Sequence, residues 1–193
     1  LSNNITIRNS RFINNGGNGE GSVGIYLPAS VDISISNCEI SSDAMTEFNF
    51  GIYTEGCQRI NMKDVVVHNN TALNEAGGIY LDHSSFISID NCILRDNTAT
   101  SSNGVRVVDT DNVTIRDSSV KRNHLLSPSF GITLEMTKNV NVLGNVIENQ
   151  LFGLRMDDSD RTIIKDNRFK NHSIGFYLWN ANDNWIENNT LID

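Results

Sequence analysis

Acidic side chains recur at one position of a repeated motif, four or five residues after a glycine. They are Glu55, Asp82, Asp109, Glu135, Asp157 and Asp158. Because aspartate is rare in strands and stacked like charges repel, such a row carries a free-energy cost. A calcium ion between the carboxylates would offset the cost, as would a catalytic arrangement in which crowding raises the pKa of one carboxyl. Alternatively, these residues lie in the turn after each strand, where solvent screens the repulsion.

Aromatic and basic side chains follow the same glycines by two residues. They are Tyr26, Tyr53, Tyr80, Arg106, Arg155 and Tyr177. Aromatic rings beside carboxylates suit a sugar, because they combine an apolar face with polar partners. Tyrosines on neighbouring strands also stabilise one another, so a structural role explains the stripe equally well.

The glycine of this motif recurs at a nearly constant interval. It appears as Gly24, Gly51, Gly78, Gly104, Gly131, Gly153 and Gly175, with spacings of 27, 27, 26, 27, 22 and 22 residues. Self-similarity at a fixed period indicates a solenoid, in which each repeat buries its apolar face only by stacking on its neighbours.

Each repeat contains three short segments in which apolar and polar residues alternate. In the repeat of Gly78 the apolar pairs are Ile79 with Leu81, Ile87 with Ile89, and Cys92 with Leu94. Alternation with period two predicts half-buried strands. We therefore expect an all-β, right-handed, single-stranded parallel β-helix with three strands per coil. It should have about eight coils in one domain over residues 1–193, as part of a longer chain.

Polar residues fill the corners between these strands. The second and third strands are separated by Asn9, Asn37, Asp64, Asn91, Asp117, Gly144, Asp166 and Asn188, residue types that tolerate left-handed backbone. A second set follows the third strand, at Asn15, Asn70, Asn97, Asn123, Asn149 and Asn171. Stacked once per coil, both sets are predicted to form ladders of hydrogen-bonded amides.

The coils differ in length mainly in the segment before the glycine. Insertions rich in Ser, Thr, Ala and Asn occupy residues 43–49, 71–76, 98–103 and 124–130. Insertions in a solenoid gather on one face, which is often the binding face. These four are predicted to form a wall beside the first strand.

Charge and composition argue against several classes of partner. A net charge of -8 and a pI near 4.9 disfavour nucleic acid and anionic membrane surfaces. No run approaches the ~18 apolar residues of a membrane span, so no membrane insertion is expected. Cys38, Cys57 and Cys92 stand too far apart in the repeat for disulfides and are predicted to be buried free thiols.

The glycine strand motif, the Asn/Asp corners and the 22-residue minimum coil resemble the right-handed parallel β-helix of the pectin-lyase-like superfamily. The resemblance includes its NosD-like nitrous-oxide-accessory branch with carbohydrate-binding and sugar-hydrolase repeats, and it covers essentially the whole chain. It implies a secreted, cell-surface or virion-surface protein that handles polysaccharide. A homotrimer would follow if the chain belonged to a phage tailspike.

The resemblance also implies a substrate groove along the outer face of the first strand. Its predicted catalytic residues are Asp82, His83, Asp109 and Glu135. Its predicted substrate-binding residues are Tyr26, Tyr53, Tyr80, Arg106 and Arg155, and its predicted calcium ligands are Glu55, Asp82 and Asp109. The Asn-Thr-Asp, Gly-His-Gly and Arg-Ile-Lys motifs of polygalacturonases are absent, and Asp82-His83 is only distantly similar to the Asp-Pro-His motif of alginate epimerases.

Glycoside hydrolysis, uronate β-elimination and epimerisation, which would use groups similar to those of elimination, all fit such a groove, and one structural role competes with them. Inverting glycoside hydrolysis needs two carboxyls about 6.5–9.5 Å apart. Uronate β-elimination needs a base and a group that neutralises the substrate carboxylate. The competing hypothesis is a non-catalytic structural or adhesive solenoid, in which the acidic row is dispensable.

Overall fold

The computed structural model describes residues 2–15, 21–43, 45–123 and 128–193 as a parallel β-solenoid. Its strands in chain order are β1 (Ser2–Arg8), β2 (Arg11–Ile13), β3 (Gly21–Pro28), β4 (Ser30–Ser36), β5 (Glu39–Ser41), β6 (Thr46–Glu55), β7 (Gln58–Lys63), β8 (Val66–His68), β9 (Ala72–Asp82), β10 (Ser85–Asp90), β11 (Ile93–Arg95), β12 (Ser101–Val108), β13 (Asp111–Arg116), β14 (Ser119–Lys121), β15 (Ser129–Glu135), β16 (Val140–Leu143), β17 (Val146–Glu148), β18 (Phe152–Asp157), β19 (Ile163–Lys165), β20 (Arg168–Lys170), β21 (Ile174–Trp179), β22 (Trp185–Glu187) and β23 (Thr190–Ile192). Over these residues, no helix has the length and apolar character needed to cross a bilayer.

The strands form three parallel sheets. Sheet A contains eight strands in the order β1-β4-β7-β10-β13-β16-β19-β22, sheet B contains eight in the order β2-β5-β8-β11-β14-β17-β20-β23, and sheet C contains seven in the order β3-β6-β9-β12-β15-β18-β21. Each strand therefore pairs with the strand three places away in sequence. The predicted all-β parallel solenoid with three strands per coil is confirmed.

The core lies between the three sheets, where sheets A and C each contribute two columns of apolar side chains and sheet B contributes one. Ile79 of sheet C, Ile89 of sheet A and Leu94 of sheet B are fully buried. Each pairs in register with an apolar residue of the neighbouring coil, as Ile79 does with Ile52 and Val105. The three cysteines are also buried and free, as predicted.

The corners between sheets A and B have the predicted left-handed backbone. All eight predicted residues, from Asn9 to Asn188, have φ between 49° and 63°. Asn91 donates to Asp64 at 2.6 Å in this set, but in the last three coils the amide ladder lies one residue later. The Nδ2 group of Asn145 donates to Asn167 Oδ1 at 3.0 Å, and that of Asn167 donates to Asn189 Oδ1 at 2.9 Å. The left-handed corner residue faces solvent, and it is the next side chain that turns inward.

The ladder after the third strand also differs from the prediction. Asn70, Asn97 and Asn123 are buried, and the side-chain amide of each donates a hydrogen bond to the next along this series. Asn149 and Asn171 are instead exposed in left-handed corners and bond each other at 2.9 Å. In those two coils the inward position belongs to Gln150 and His172, whose side chains bond the carbonyls of Val120 and Ile147. Asn149 and Asn171 therefore keep the predicted bond to each other but lie outside the buried ladder of Asn70, Asn97 and Asn123.

We expect Asn97→Ala to lower the free energy of unfolding by about 2 kcal/mol. Asn97 Oδ1 accepts the backbone N–H and the Nδ2 group of Asn70 at 3.1 and 2.7 Å, so the substitution leaves buried donors without partners. Urea unfolding followed by circular dichroism measures the change. Asn141→Ala is the matched control, because Asn141 makes only a 3.5 Å contact with Thr114, and it should cost less than about 0.5 kcal/mol. Equal losses in the two variants would contradict the prediction.

The insertions do not form a separate wall. The segments at 43–49 and 71–76 and the end of 98–103 enter sheet C, because β6 begins at Thr46, β9 at Ala72 and β12 at Ser101. Insertion residues pair in register with one another, as Asn49 does with Ala76. The insertions therefore widen sheet C rather than flank it. Of the predicted insertion residues, Ala44 and residues 124–127 lie outside the described part of the chain.

Candidate functional site

The acidic residues do not form one continuous row. The register of sheet C pairs Glu55 with Asp82, and Asp82 with Val108. Val108 in turn pairs with Glu135. Asp109 lies one residue further, in a left-handed corner with φ 43°. The expected row through five successive coils is therefore interrupted, because an apolar residue ends β12 where a carboxylate ends β9 and β15.

His83 connects Asp109 to Asp82 from the same corner of the solenoid. Its Nδ1 lies 2.7 Å from Asp82 Oδ1, and its Nε2 lies 3.1 Å from Asp109 Oδ2. The hydrogen bond to Asp82, followed by the charge of that carboxylate, raises the pKa of His83 above its ordinary value. Three of the four predicted catalytic residues are thus in contact, with an imidazole held between two carboxylates.

We expect an NMR titration to show a raised His83 pKa that falls back toward about 6.5 in Asp82→Asn. A raised folded-state pKa means that the charged imidazole stabilises the fold below the unfolded value, and that this contribution is lost as the pH rises through the folded value. The stability difference between the wild type and His83→Asn should therefore shrink from pH 6 to pH 9. Asp90→Asn, on sheet A, is the control. An unchanged His83 pKa in Asp82→Asn would refute the assignment.

The predicted tyrosine stripe is a stack of rings that cover one another. The Tyr53 and Tyr80 centroids are 4.9 Å apart at an interplanar angle of 8°, and Tyr26 lies 5.3 Å from Tyr53. The far face of Tyr80 carries the Arg106 guanidinium, whose Cζ is 5.1 Å from the ring centroid. The ring faces of Tyr53 and Tyr80 are therefore occupied within the protein, whereas Tyr26 ends the stack and is half exposed.

The hydroxyl groups of this stack point toward the acidic residues. Tyr26 donates to Glu55 Oε2 at 2.6 Å, and Tyr53 donates weakly to Asp82 Oδ2 at 3.5 Å. Burial, followed by the charge of Asp82, raises the pKa of Tyr53 to about 12. Tyr53 therefore remains protonated at neutral pH and acts as a hydrogen-bond donor.

Arg106 is held between two carboxylates above the middle of sheet C. Its Nη1 lies 2.6 Å from Glu75 Oε1, and its Nη2 lies 3.1 Å from Glu135 Oε2. Burial alone would lower the pKa of Arg106, but the charges of Glu75 and Glu135 outweigh that effect and raise it. The guanidinium is therefore a permanent cation whose two ends are both engaged.

Arg155 lies two strands from Arg106 in a largely aromatic setting. It forms an ion pair with Asp157, and its Cζ is 5.3 Å from the centroid of Phe130. Phe130 stacks on Phe152 at 5.0 Å, and Tyr177 meets Phe152 edge-on at 5.9 Å. This arrangement places an apolar wall and a charged group side by side.

Two adjoining depressions result on the outer face of sheet C. The apolar depression has a volume of about 290 Å³ and is lined by Pro128, Phe130, Phe152, Arg155 and Tyr177. The polar depression has a volume of about 120 Å³ and is lined by Glu75, Ser101, Asn103, Arg106, Phe130, Thr133, Glu135 and Arg155. Because Phe130 and Arg155 line both, the two form one groove.

Sequence reasoning missed part of this groove. Glu75 reaches Arg106 from an insertion, and Phe130 and Phe152 each come directly before a motif glycine. The recurrence of phenylalanine at that position, also at Phe50, is the signal that could have identified the aromatic wall. No comparable signal marks Glu75.

The predicted calcium ligands each have another partner. Glu55 accepts from Tyr26, whereas Asp82 and Asp109 both contact His83. Within the described ranges, no group of three or more His, Cys, Asp or Glu residues is arranged to hold a metal ion. The calcium site consequently stays a prediction from the sequence.

Comparisons with known proteins agree with this architecture. The A-module of Azotobacter vinelandii mannuronan C-5 epimerase AlgE4 superposes with a TM-score of 0.72 at 19% identity, over 99% of this chain and 56% of that one. The AlgE6 A-module of the same organism gives a TM-score of 0.59 at 15% identity, over 99% and 58%. The chain thus spans little more than half of either module, and at these identities the likeness concerns the fold. No curated protein sequence matches significantly.

A match to a protein-family model assigns the chain to a family, whereas the two structures show only its fold. The model described as "Periplasmic copper-binding protein (NosD)" matches residues 2–193, which is nearly the entire chain. The pectin-lyase-like, NosD-like resemblance expected from the glycine motif is confirmed, and the chain belongs to the NosD family of parallel β-helix proteins.

Proposed function

We propose that this protein binds a polysaccharide along the outer face of sheet C. The observation that carries the proposal is the groove of two adjoining depressions, one aromatic and one polar, joined at Phe130 and Arg155. A sugar ring has an apolar face and a rim of hydroxyl groups, and this groove offers a partner for each. Parallel strands repeat at about 4.8 Å, so neighbouring coils can contact successive parts of one linear ligand.

The comparisons support a carbohydrate role without naming a ligand. The two similar modules belong to enzymes named for mannuronan, which is a polysaccharide. The family description names the periplasm, which supports the proposal that the protein lies outside the cytoplasm, in the periplasm or at the cell surface.

The family description also names copper, but no group of three or more His, Cys, Asp or Glu residues in the described ranges could hold a metal ion. Copper in proteins is bound by histidine nitrogens and by cysteine or methionine sulfurs. Both ring nitrogens of His172 contact carbonyl oxygens, and the buried Cys57 thiol donates to the carbonyl of Leu27 at 3.0 Å. Cys92 is likewise buried within the core. We therefore derive no function from copper.

We expect Phe152→Ala and Tyr177→Ala each to weaken glycan binding about tenfold, because each removes part of the apolar wall. Affinity gel electrophoresis against a panel of soluble polysaccharides identifies a ligand, and calorimetry then gives its dissociation constant. Phe86→Ala is the matched control, because Phe86 is an exposed aromatic residue of sheet A and should bind as the wild type does. No binding of any glycan would refute the proposal and favour a purely structural solenoid.

Acid–base cleavage of the bound glycan is the second candidate function. Asp82 and Glu135 end strands two steps apart in sheet C, which separates their backbones by about 9.6 Å. This spacing is close to the 6.5–9.5 Å between carboxyls that inverting glycoside hydrolysis uses. Uronate β-elimination has less support, because its charge neutralisers would be Arg106 and Arg155, and both are already paired. The spacing of Asp82 and Glu135 is therefore what favours hydrolysis, with Glu135 in the lining of the groove and Asp82 outside it.

A further inference from the structure

Among the described residues, both arginines that line the groove are engaged by carboxylates of the protein itself. Arg106 is bound at both ends of its guanidinium, and Arg155 is bound to Asp157. His83, at the corner beside this face, lies between Asp82 and Asp109.

The wider outer face of sheet C adds negative charge, although Asp43 and Glu47 stand two strands or more from Arg106. The four insertions, residues 43–49, 71–76, 98–103 and 124–130, contain no lysine or arginine, and they contribute Asp43, Glu47 and Glu75. The whole chain has a net charge of -8. A polyanion approaching sheet C is therefore repelled at long range and meets no unpaired guanidinium among the described residues of the groove.

A carboxylate placed in the polar depression would lie beside Glu75 and Glu135. Binding it there would require Arg106 to exchange a protein carboxylate for a ligand carboxylate, which leaves a partly buried charge without a partner. A hydroxyl group imposes no such exchange. It can donate to a free lone pair of Glu135 or Glu75 while both ion pairs remain intact.

We propose that the ligand of this groove is an uncharged polysaccharide, whose sugar units carry neither carboxylate nor sulfate groups. This inference rests on the proposed function and specifies its substrate class. Ring faces would pack on Phe152 and Tyr177, and hydroxyl groups would bond the paired carboxylates. The protein would thereby differ in ligand charge from the mannuronan epimerase modules that share its fold.

The test compares neutral with acidic glycans under identical conditions. The neutral set is xyloglucan, galactomannan and mixed-linkage β-glucan, and the acidic set is alginate, pectate and hyaluronan, each with calcium and with chelator. We expect at least one neutral glycan to bind tenfold or more tightly than every acidic one. The combined variant Glu75→Gln with Glu135→Gln frees Arg106 and should strengthen uronan binding at least tenfold, in a manner that salt suppresses.

This test has its own control variant, and its contrary outcomes differ from the outcome that would refute glycan binding. Glu148→Gln, whose partner Lys121 lies on sheet B, should leave uronan binding unchanged. If the combined variant loses its strand signal, Glu75→Gln alone serves in its place. The inference alone is overturned if the wild type binds a uronan as tightly as the neutral glycans. It is also overturned if the combined variant binds uronan no more tightly than the wild type does. Binding of no glycan overturns the proposed function, and the inference with it.

Discussion

Gly131→Ala should lower the free energy of unfolding by more than about 4 kcal/mol and the thermal midpoint by roughly 10 °C. A Cβ at this position would lie 2.4 Å from the carbonyl oxygen of Gly153 and 2.5 Å from Cγ2 of Ile147. The first atom belongs to the backbone of the adjacent strand of sheet C, so relief requires the two strands to separate. Thermal unfolding followed by circular dichroism and tryptophan fluorescence measures the loss.

Gly56→Ala separates this steric effect from backbone strain. Gly56 has φ +64°, but a Cβ there would have no neighbour closer than the Cα of Ala29, at 4.0 Å. Its substitution should therefore cost only about 1 kcal/mol, the conformational penalty of an alanine in left-handed backbone. If Gly131→Ala and Gly56→Ala lowered the free energy of unfolding equally, the close contact between Gly131 and Gly153 would not explain the loss.

Asp82→Asn should slow the release of reducing ends from a bound glycan about 10³-fold, if cleavage uses this carboxylate. The amide can neither give nor accept the required proton, yet it keeps the shape of the side chain. Glycan affinity should stay within about threefold of the wild type, because Asp82 does not line either depression. Single-turnover assays of reducing ends on the glycan identified by binding give the rate.

The control for this variant is Asp90→Asn. Asp90 forms an ion pair with Arg116 at 2.7 Å on sheet A, so its loss removes a comparable charge away from the groove. Hydrolysis by Asp90→Asn should equal that of the wild type. Retained hydrolysis in Asp82→Asn would leave glycan binding as the function of the groove.

The sequence predicts those parts of the fold that depend on short-range periodicity. The pairs Ile79 with Leu81 and Ile87 with Ile89 alternate with period two, and the structure places them in sheets C and A. The spacing of the glycines brings equivalent residues of successive coils into register. The buried ladder was harder to predict, because a single left-handed residue decides whether Asn149 or Gln150 turns inward.

The groove was less predictable because its contacts cross between coils. Residues such as Tyr80 and Arg106 share one outward position, so their proximity follows from the repeat. The reach of Glu75 to Arg106 depends on an insertion that continues a strand, and no periodicity indicates that. Asp109 was predicted to lie in the acidic row because of its position in the repeat. It follows its glycine by five residues rather than four, and it therefore lies in the corner instead of the sheet.

The arrangement of the sheets also determines how the molecule would respond to mechanical tension. The first and last strands lie at opposite edges of the sheets, and each coil is hydrogen-bonded only to the coils next to it. A force that pulls β1 away from β22 therefore acts along the bonds between coils and strains the coil at the pulled edge first. The solenoid should peel one coil at a time, and each coil of 22 to 27 residues would release about 75 to 95 Å of extended chain.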